Sequence, residues 1–246
     1  MFFGLFLTGD HLLILVINVV HRSLLESLAP SKLRRLVLFE NFNQRYPLSI
    51  PDCEPIRIPT SSVSQVVANA SLKLEHLSAS FMVDASYFFH ACERSWRWPN
   101  LTSLALTSQL LAPNESQIEI DNMLQAAASA AMKMPNLETM EIWNGREGLA
   151  MLFRYQSIGG GGLAAITWRG TWEFALQLPV IRAWEAVALK HRGQGSVIIK
   201  EFLDVSSVIR SHADAIHHLK LSIPVIRPIS LRQIRMENRI WEGVYT

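Results

Sequence analysis

The chain has 246 residues, of which 49% are apolar and 18% charged, with a formal net charge of +2. That length holds one large domain or two small ones, and a solenoid of stacked units has no fixed size limit. So small a net charge gives no ground for nucleic acid or an anionic membrane as the main partner. The densest basic run, Lys32-Leu33-Arg34-Arg35, reads as a solvated strand entry.

Residues 2–20 are strongly apolar. A signal peptide would open on a basic stretch, and none is present. A membrane helix would carry Asp10 and His11 in mid-span, at a cost of about 2.5–3.5 kcal/mol for the aspartate. The segment reads better as a strand from Leu12 to Asn18 running into a helix over 21–28, so membrane attachment through 2–20 is only an alternative. A strand over Lys32 to Phe39 follows. Residues 41–60 carry Pro47, Pro51, Pro55 and Pro59, a spacing that forbids helix and central strand and predicts a long surface loop. Within it, Ile56-Arg57-Ile58 is an edge-strand candidate. A helix over 61–72 places Val63, Val66, Val67 and Ala70 on one face.

A strand led by Leu74 precedes a helix over 84–94, with Asp84 as N-cap. Trp96 and Trp98 flank the turn before a strand led by Leu101. The clearest helix spans 114–134, with Ile118, Ile120, Met123, Leu124, Ala127, Ala131 and Met134 inside. A strand led by Leu137 and a turn at 144–146 lead to a short element over 148–155. Gly159 to Gly162 form a link that lacks any phosphate-loop spacing. A strand led by Leu163 ends in Trp168-Arg169-Gly170-Thr171-Trp172. Pro179 opens a helix to His191, closed by Gly193-Gln194-Gly195. Val197-Ile198-Ile199 is a strand candidate, and Ile216 to Ile223 reads as the last strand. Pro228 to Trp241 reads as a helix with Ile229, Ile234 and Ile240 inside and Arg232, Arg235 and Arg239 outside.

One pattern recurs along this path: an apolar residue, then apolar positions three and five residues later. It reads Leu12-Leu15-Ile17, Leu33-Leu36-Leu38, Leu74-Leu77-Ala79, Leu101-Leu104-Leu106, Leu137-Met140-Ile142, Leu163-Ile166-Trp168 and Ile216-Leu219-Leu221. The last two positions share one face of a strand, and the first sits at the bend leading in. Leucine-rich repeats are built this way. Trp98-Pro99-Asn100-Leu101 and Met134-Pro135-Asn136-Leu137 enter two strands with nearly the same tetrapeptide. The expected fold is therefore α/β, an irregular leucine-rich-repeat-like solenoid with short, mostly parallel strands and intervening helices. It is expected to form one domain over 1–246 without an N-terminal cap or F-box.

From about Leu74 onward the chain resembles a fungal domain-of-unknown-function family often found behind an F-box. The carrying stretches are Leu74 to Met82, Trp98 to Leu101, Met134 to Gly145, Ile166 to Trp172 and His212 to Leu221. The resemblance implies a repeat domain that recognises a protein target and joins a ubiquitin-ligase scaffold through an upstream helical hook. An F-box-like Leu-Pro-x-Glu-Leu/Ile segment is not seen near the start of this sequence. The resemblance brings no active site and no cofactor.

The residues themselves point the same way. His212, Asp214, His217 and His218 form a polar cluster without metal-ligand spacing, so a hydrogen-bonded structural role is expected. Two lone cysteines, Cys53 and Cys92, fit a reducing compartment and read as inert thiols, which places the chain inside the cell, in cytoplasm or nucleus. The Asn-x-Ser/Thr sites at Asn69, Asn100 and Asn114 are read as unused. Glu138 and Glu141 read as solvated-face residues. Trp143, Arg169 and Trp172 lie at or just past strand ends, and tryptophan and arginine are enriched in binding hot spots. They are the expected partner-binding residues of a non-catalytic interaction module without cofactor or metal. The competing class is an α/β enzyme, which would need ionisable groups converging in a cleft.

Overall fold

The computed structural model describes residues 4–8, 12–16, 33–41, 58–157, 162–204 and 208–241. It is a mixed α/β fold. Its main sheet holds seven strands: β3 (Arg35–Phe39), β4 (His76–Asp84), β5 (Ser103–Thr107), β6 (Thr139–Arg146), β7 (Leu149–Ser157), β8 (Ala164–Gly170) and β9 (Ser196–Phe202). Two further strands, β1 (Gly4–Thr8) and β2 (Leu12–Val16), extend it on the β3 side. Six helices are described: α1 (Ser61–Ala70), α2 (Ala85–His90), α3 (Gln117–Ala131), α4 (Leu178–Arg192), α5 (His212–Leu219) and α6 (Pro228–Trp241). Among the described residues, no helix is long and apolar enough to cross a membrane.

The strands lie side by side in chain order. Pairing is parallel from β2 to β6 and again between β8 and β9. It is antiparallel at β1–β2 and on both sides of β7. The element expected over 148–155 is thus a return strand. Gly148, with φ 71°, makes the tight turn that folds β7 back on β6.

The recurring pattern builds one face of this sheet. Leu36, Leu77, Leu104, Met140, Tyr155 and Ile166 stand in one row of register, and all are buried. Leu38, Ala79, Leu106, Ile142, Phe153 and Trp168 form the next row. Both rows pack into a continuous core with the inner faces of α1 to α4. The leading residues Leu74, Leu101 and Leu137 are buried below them, whereas Leu163 is exposed. The strand entries are laddered together: the amides of Glu75, Thr102, Glu138 and Ser157 donate to the carbonyls of Arg34, Glu75, Thr102 and Glu138. The two similar tetrapeptides also touch, since Trp98 N donates to Lys133 O and Asn136 Nδ2 to Pro99 O.

The opposite face is more polar and is covered by α5, the segment 220–226 and α6, with a second, smaller core around Phe39, Trp143 and Leu152. At Gly145 the helix α5 comes so close that an added Cβ would sit 2.5 Å from Ala215 Cβ.

Several expectations are corrected. Ile216 to Ile223 does not form a strand: Ser211 caps a helix by accepting from Asp214 N, and α5 runs to Leu219. Its apolar residues fit helical spacing as well as the strand pattern, a known ambiguity of short apolar runs. Ile118 and Ile229 are 71% and 69% exposed rather than inside. Arg235, expected on the outer face, is partly exposed and pairs with Asp214. The helix over 21–28, the proline loop over 42–57 with Cys53, the Gly159–Gly161 link, and the side chains of Arg239 and Ile240 lie outside the described residues.

Candidate functional site

The C-terminal ends of β8 and β9 open into a cavity of about 510 Å³, walled by residues that include Trp168, Trp172, Glu173, Phe174, Lys200, Glu201 and Phe202. Register explains the convergence. Trp168 stands opposite Lys200 and Gly170 opposite Phe202, so these side chains rise from one sheet face. The chain then turns after Gly170 and brings Trp172 and Phe174 back over that face. Trp168 and Phe174 stack at 4.3 Å between ring centroids, and Trp172 meets each of them edge-on at 5.9 and 5.4 Å. Such contacts add about 0.5–1.5 kcal/mol each beyond area burial and hold the wall rigid. Trp168 is buried, Trp172 half-buried and Phe202 61% exposed, so the groove grades from core to surface. The indole N–H groups of Trp168 and Trp172 make no hydrogen bond to the described residues.

Of the three expected partner-binding residues, the structure brings Arg169 and Trp172 to this region. Trp172 lines the cavity. Arg169 points to the other sheet face, where it pairs with Glu201 and donates from Nη1 to Leu219 O at 2.9 Å. Trp143 lies elsewhere. It has no exposed surface and meets Phe81 edge-on at 5.1 Å in the second core.

Sequence reasoning missed a polar clamp. Glu141 has no exposed surface, contrary to the expectation of a solvated residue. Its carboxylate accepts from Arg154 Nε at 2.7 Å, Ser222 N at 2.8 Å and Ile223 N at 3.1 Å. Arg154 Nη2 donates to Lys220 O at 2.6 Å. Two neighbouring arginines therefore hold the carbonyls that end α5, where the helix dipole favours cations, and one carboxylate holds the next two amides. The signal was present: Glu141 and Trp143 are two apart on one strand and share a face. Glu138, three residues earlier, is exposed as expected.

A second irregularity sits beside it. Phe81 adopts φ 69° inside β4, where the β4–β5 register slips between Ala79 and Asp84. A bulky residue there carries strain of order 1–3 kcal/mol. The slip delivers the Phe81 ring to Phe39, Trp143 and His212, at 5.6, 5.1 and 5.3 Å. It also frees Asp84 to cap α2 and to accept from Ser108 Oγ and Gln109 N.

The ionisable groups with perturbed protonation do not converge. His76, on β4, is held below its usual range by burial and then by Arg35, and its Nδ1 lies 2.7 Å from Ser103 Oγ. Cys92 is pushed up to about 12 by burial, and its thiol donates to Phe88 O at 3.2 Å. Asp121, on α3, is raised by burial. His212 is lowered to about 4 by burial, and exposed His217 is lowered by burial and then by Arg235. None of the five lines the cavity. The histidine cluster does not assemble: Asp214 is engaged by Arg235 Nε and Ser211 Oγ, and no group of three metal-ligating side chains exists among the described residues.

The fold and this groove define a mixed α/β protein whose strands run in chain order, with a rigid aromatic groove beside an edge strand. The chain belongs to the DUF6546 family, a family of unknown function, whose model matches residues 28–227. The polar clamp and the aromatic groove lie inside the matched span, and α6 lies beyond it. No curated protein and no solved structure matches the chain.

Proposed function

We propose that this protein is a non-catalytic protein-interaction module that receives its partner at the aromatic groove between β8 and β9. The observation that carries this reading is the convergence of Trp172, Phe174 and exposed Phe202 on an open cavity at strand ends. Aromatic side chains with few rotatable bonds supply contact area at low entropic cost, as binding hot spots require. None of the perturbed ionisable groups lines the cavity, which favours this reading over an enzyme, where they need to meet in a cleft.

Strands stacked in chain order, joined by laddered entries, are what a leucine-rich-repeat-like solenoid would give, with β7 as an inserted return strand. On that architecture the module is the target-recognition part of an F-box-type ubiquitin-ligase adaptor, acting inside the cell.

The test is affinity purification from native cells with the intact chain and with Trp172→Ala. A specific partner lost on substitution is the expected result, and ligase-scaffold subunits among the retained proteins would sharpen it to the adaptor role. A partner set unchanged by Trp172→Ala would overturn the groove as the contact surface.

A further inference from the structure

Among the described residues β9 is bonded to β8 alone and is the last strand of the sheet. It exposes apolar side chains on both faces: Val197, Ile198, Ile199 and Phe202 are 37–61% exposed. Natural sheets blunt such edges, because unpaired N–H and C=O groups invite another strand. Here four of the seven edge positions are apolar or aromatic, and Lys200 and Glu201 are its only charges.

These two charges differ in their commitments. Glu201 is taken by Arg169 on the second face. Lys200 stands on the first face between Ile198 and Phe202, is exposed, and makes no ion pair among the described residues. A strand added here would set one side chain across from Lys200 and the next same-face side chain beside Phe202, at the mouth of the cavity.

Paired through β9 alone, a second copy of the chain supplies the wrong chemistry, since Lys200 then meets only Ser196, Ile198, Lys200 or Phe202 of the other strand. Antiparallel self-pairing across a two-fold axis, centred on Ile199 with full overlap, sets Lys200 against Ile198 of the other copy. Shifting the centre to Lys200 sets two ammonium groups against each other. Neither register gives Lys200 a carboxylate.

Building on the interaction reading, we propose that β9 receives an extended peptide as an added strand. The peptide carries one carboxylate opposite Lys200 and, two residues away, a bulky apolar side chain that enters the cavity of about 510 Å³. Main-chain pairing supplies affinity and the alternating side chains supply selection, as in other strand-addition complexes. Glu173 on the exposed wall disfavours a second carboxylate, so the motif is singly acidic.

The probe is a short fluorescent peptide of alternating Thr and Val with one Phe and, two residues on, one Asp, titrated into the intact chain by anisotropy. Control peptides replace Asp by Lys or Phe by Ala. We expect each control to bind about tenfold or more weakly, which corresponds to about 1.4 kcal/mol. Lys200→Glu should reverse the preference between the Asp and Lys peptides, a result that general loss of folding cannot produce. Phe202→Ala, at an exposed position, should weaken the Phe peptide while leaving the thermal midpoint in place. Equal binding of all peptides, or none at millimolar concentration, would overturn the proposal. So would a dimer in light scattering that Phe202→Asp dissociates, since it would put a second copy on the edge. If the peptide test fails while partner capture still depends on Trp172, strand addition is wrong and the interaction reading survives. If peptides bind as expected while capture ignores Trp172, the groove reading fails instead.

Discussion

The two faces of the sheet are stabilised in different ways. The first is apolar from Leu36 to Ile166 and takes four helices on nonspecific burial, which is roughly proportional to area and indifferent to small shifts. The second places Ser78, Ser103, Thr139, Glu141 and Arg154 on its strands and takes α5 and the following segment through named hydrogen bonds. Burial fixes that something covers a face. Directional polar contacts fix which residues cover it, because a carboxylate that accepts two particular amides tolerates no slip. The arrangement is fully satisfied at Glu141, and that is the condition under which a buried charge is tolerable.

The largest effect should come from charging the first face. Leu104→Asp puts an unpaired carboxylate at a mid-row position with no exposed surface. The cost of several kcal/mol rivals the whole stability of a domain, about 5–15 kcal/mol. Circular dichroism should show no cooperative unfolding. Ile198→Asp, in the same row but on the edge strand and 37% exposed, should melt close to the parent. Comparable losses in the two variants would break the assignment of that row to the core.

Next in size is the clamp. Glu141→Ala leaves Arg154, with its side chain 11% exposed, without its partner and strands the amides of Ser222 and Ile223. Removing one member of a buried pair costs about 3–5 kcal/mol. Urea melts should register that loss, and hydrogen exchange should show α5 opening before β4 and β5. A loss below about 1 kcal/mol would mean that the second face is held by its apolar contacts alone.

The third effect is pH-dependent and also belongs to the second face. Burial holds His212 down to about 4 from its ordinary 6.5, against the raising pull of Asp214. The folded chain therefore binds fewer protons than the unfolded chain between those values. Stability is fully present above about pH 6.5 and falls as pH drops towards 4, by about 3 kcal/mol in all. His212→Phe should flatten the urea midpoint between pH 7 and 4.5, with a residual slope from His76 and His217, both lowered in the same direction. An unchanged slope would show that His212 is protonated in the folded chain.

The same contrast explains what could be read from the sequence. The spacing of Leu74, Leu77 and Ala79, and its repeats, located six of the nine strands, because a face covered by helices must be apolar at alternate positions. Asp84 as a cap and Pro179 and Gly193 as helix boundaries were legible for local stereochemical reasons. The return strand β7 was harder, since Ala150, Leu152 and Phe153 are buried on both faces and leave no alternation to follow. Trp172 was legible as a residue just past a strand end, but Phe202 and Lys200 were not singled out, because exposure on an edge strand depends on what the chain fails to put beside it. Glu141 was misread because a carboxylate in a strand is usually solvated, and its partners Ser222 and Ile223 are about eighty residues away.

The smallest predicted effect is the sharpest control on that misreading. Glu138 and Glu141 are three apart on the same strand entry and therefore face opposite ways. Glu138 is exposed, and its influence reaches His76, whose pKa it pulls upward as the weakest of four contributions. Glu138→Lys should change stability by less than about 0.5 kcal/mol, as surface substitutions do. It should lower the His76 pKa further, because a raising carboxylate gives way to a lowering ammonium. Proton NMR of the imidazole reads that shift directly. If Glu138→Lys costs as much as Glu141→Ala, the two carboxylates are not on opposite faces and the clamp is misassigned. If it costs nothing and moves His76 as stated, the gap in energy between Glu138, just before β6, and Glu141 within it measures what the second face gains from holding its cover by named contacts.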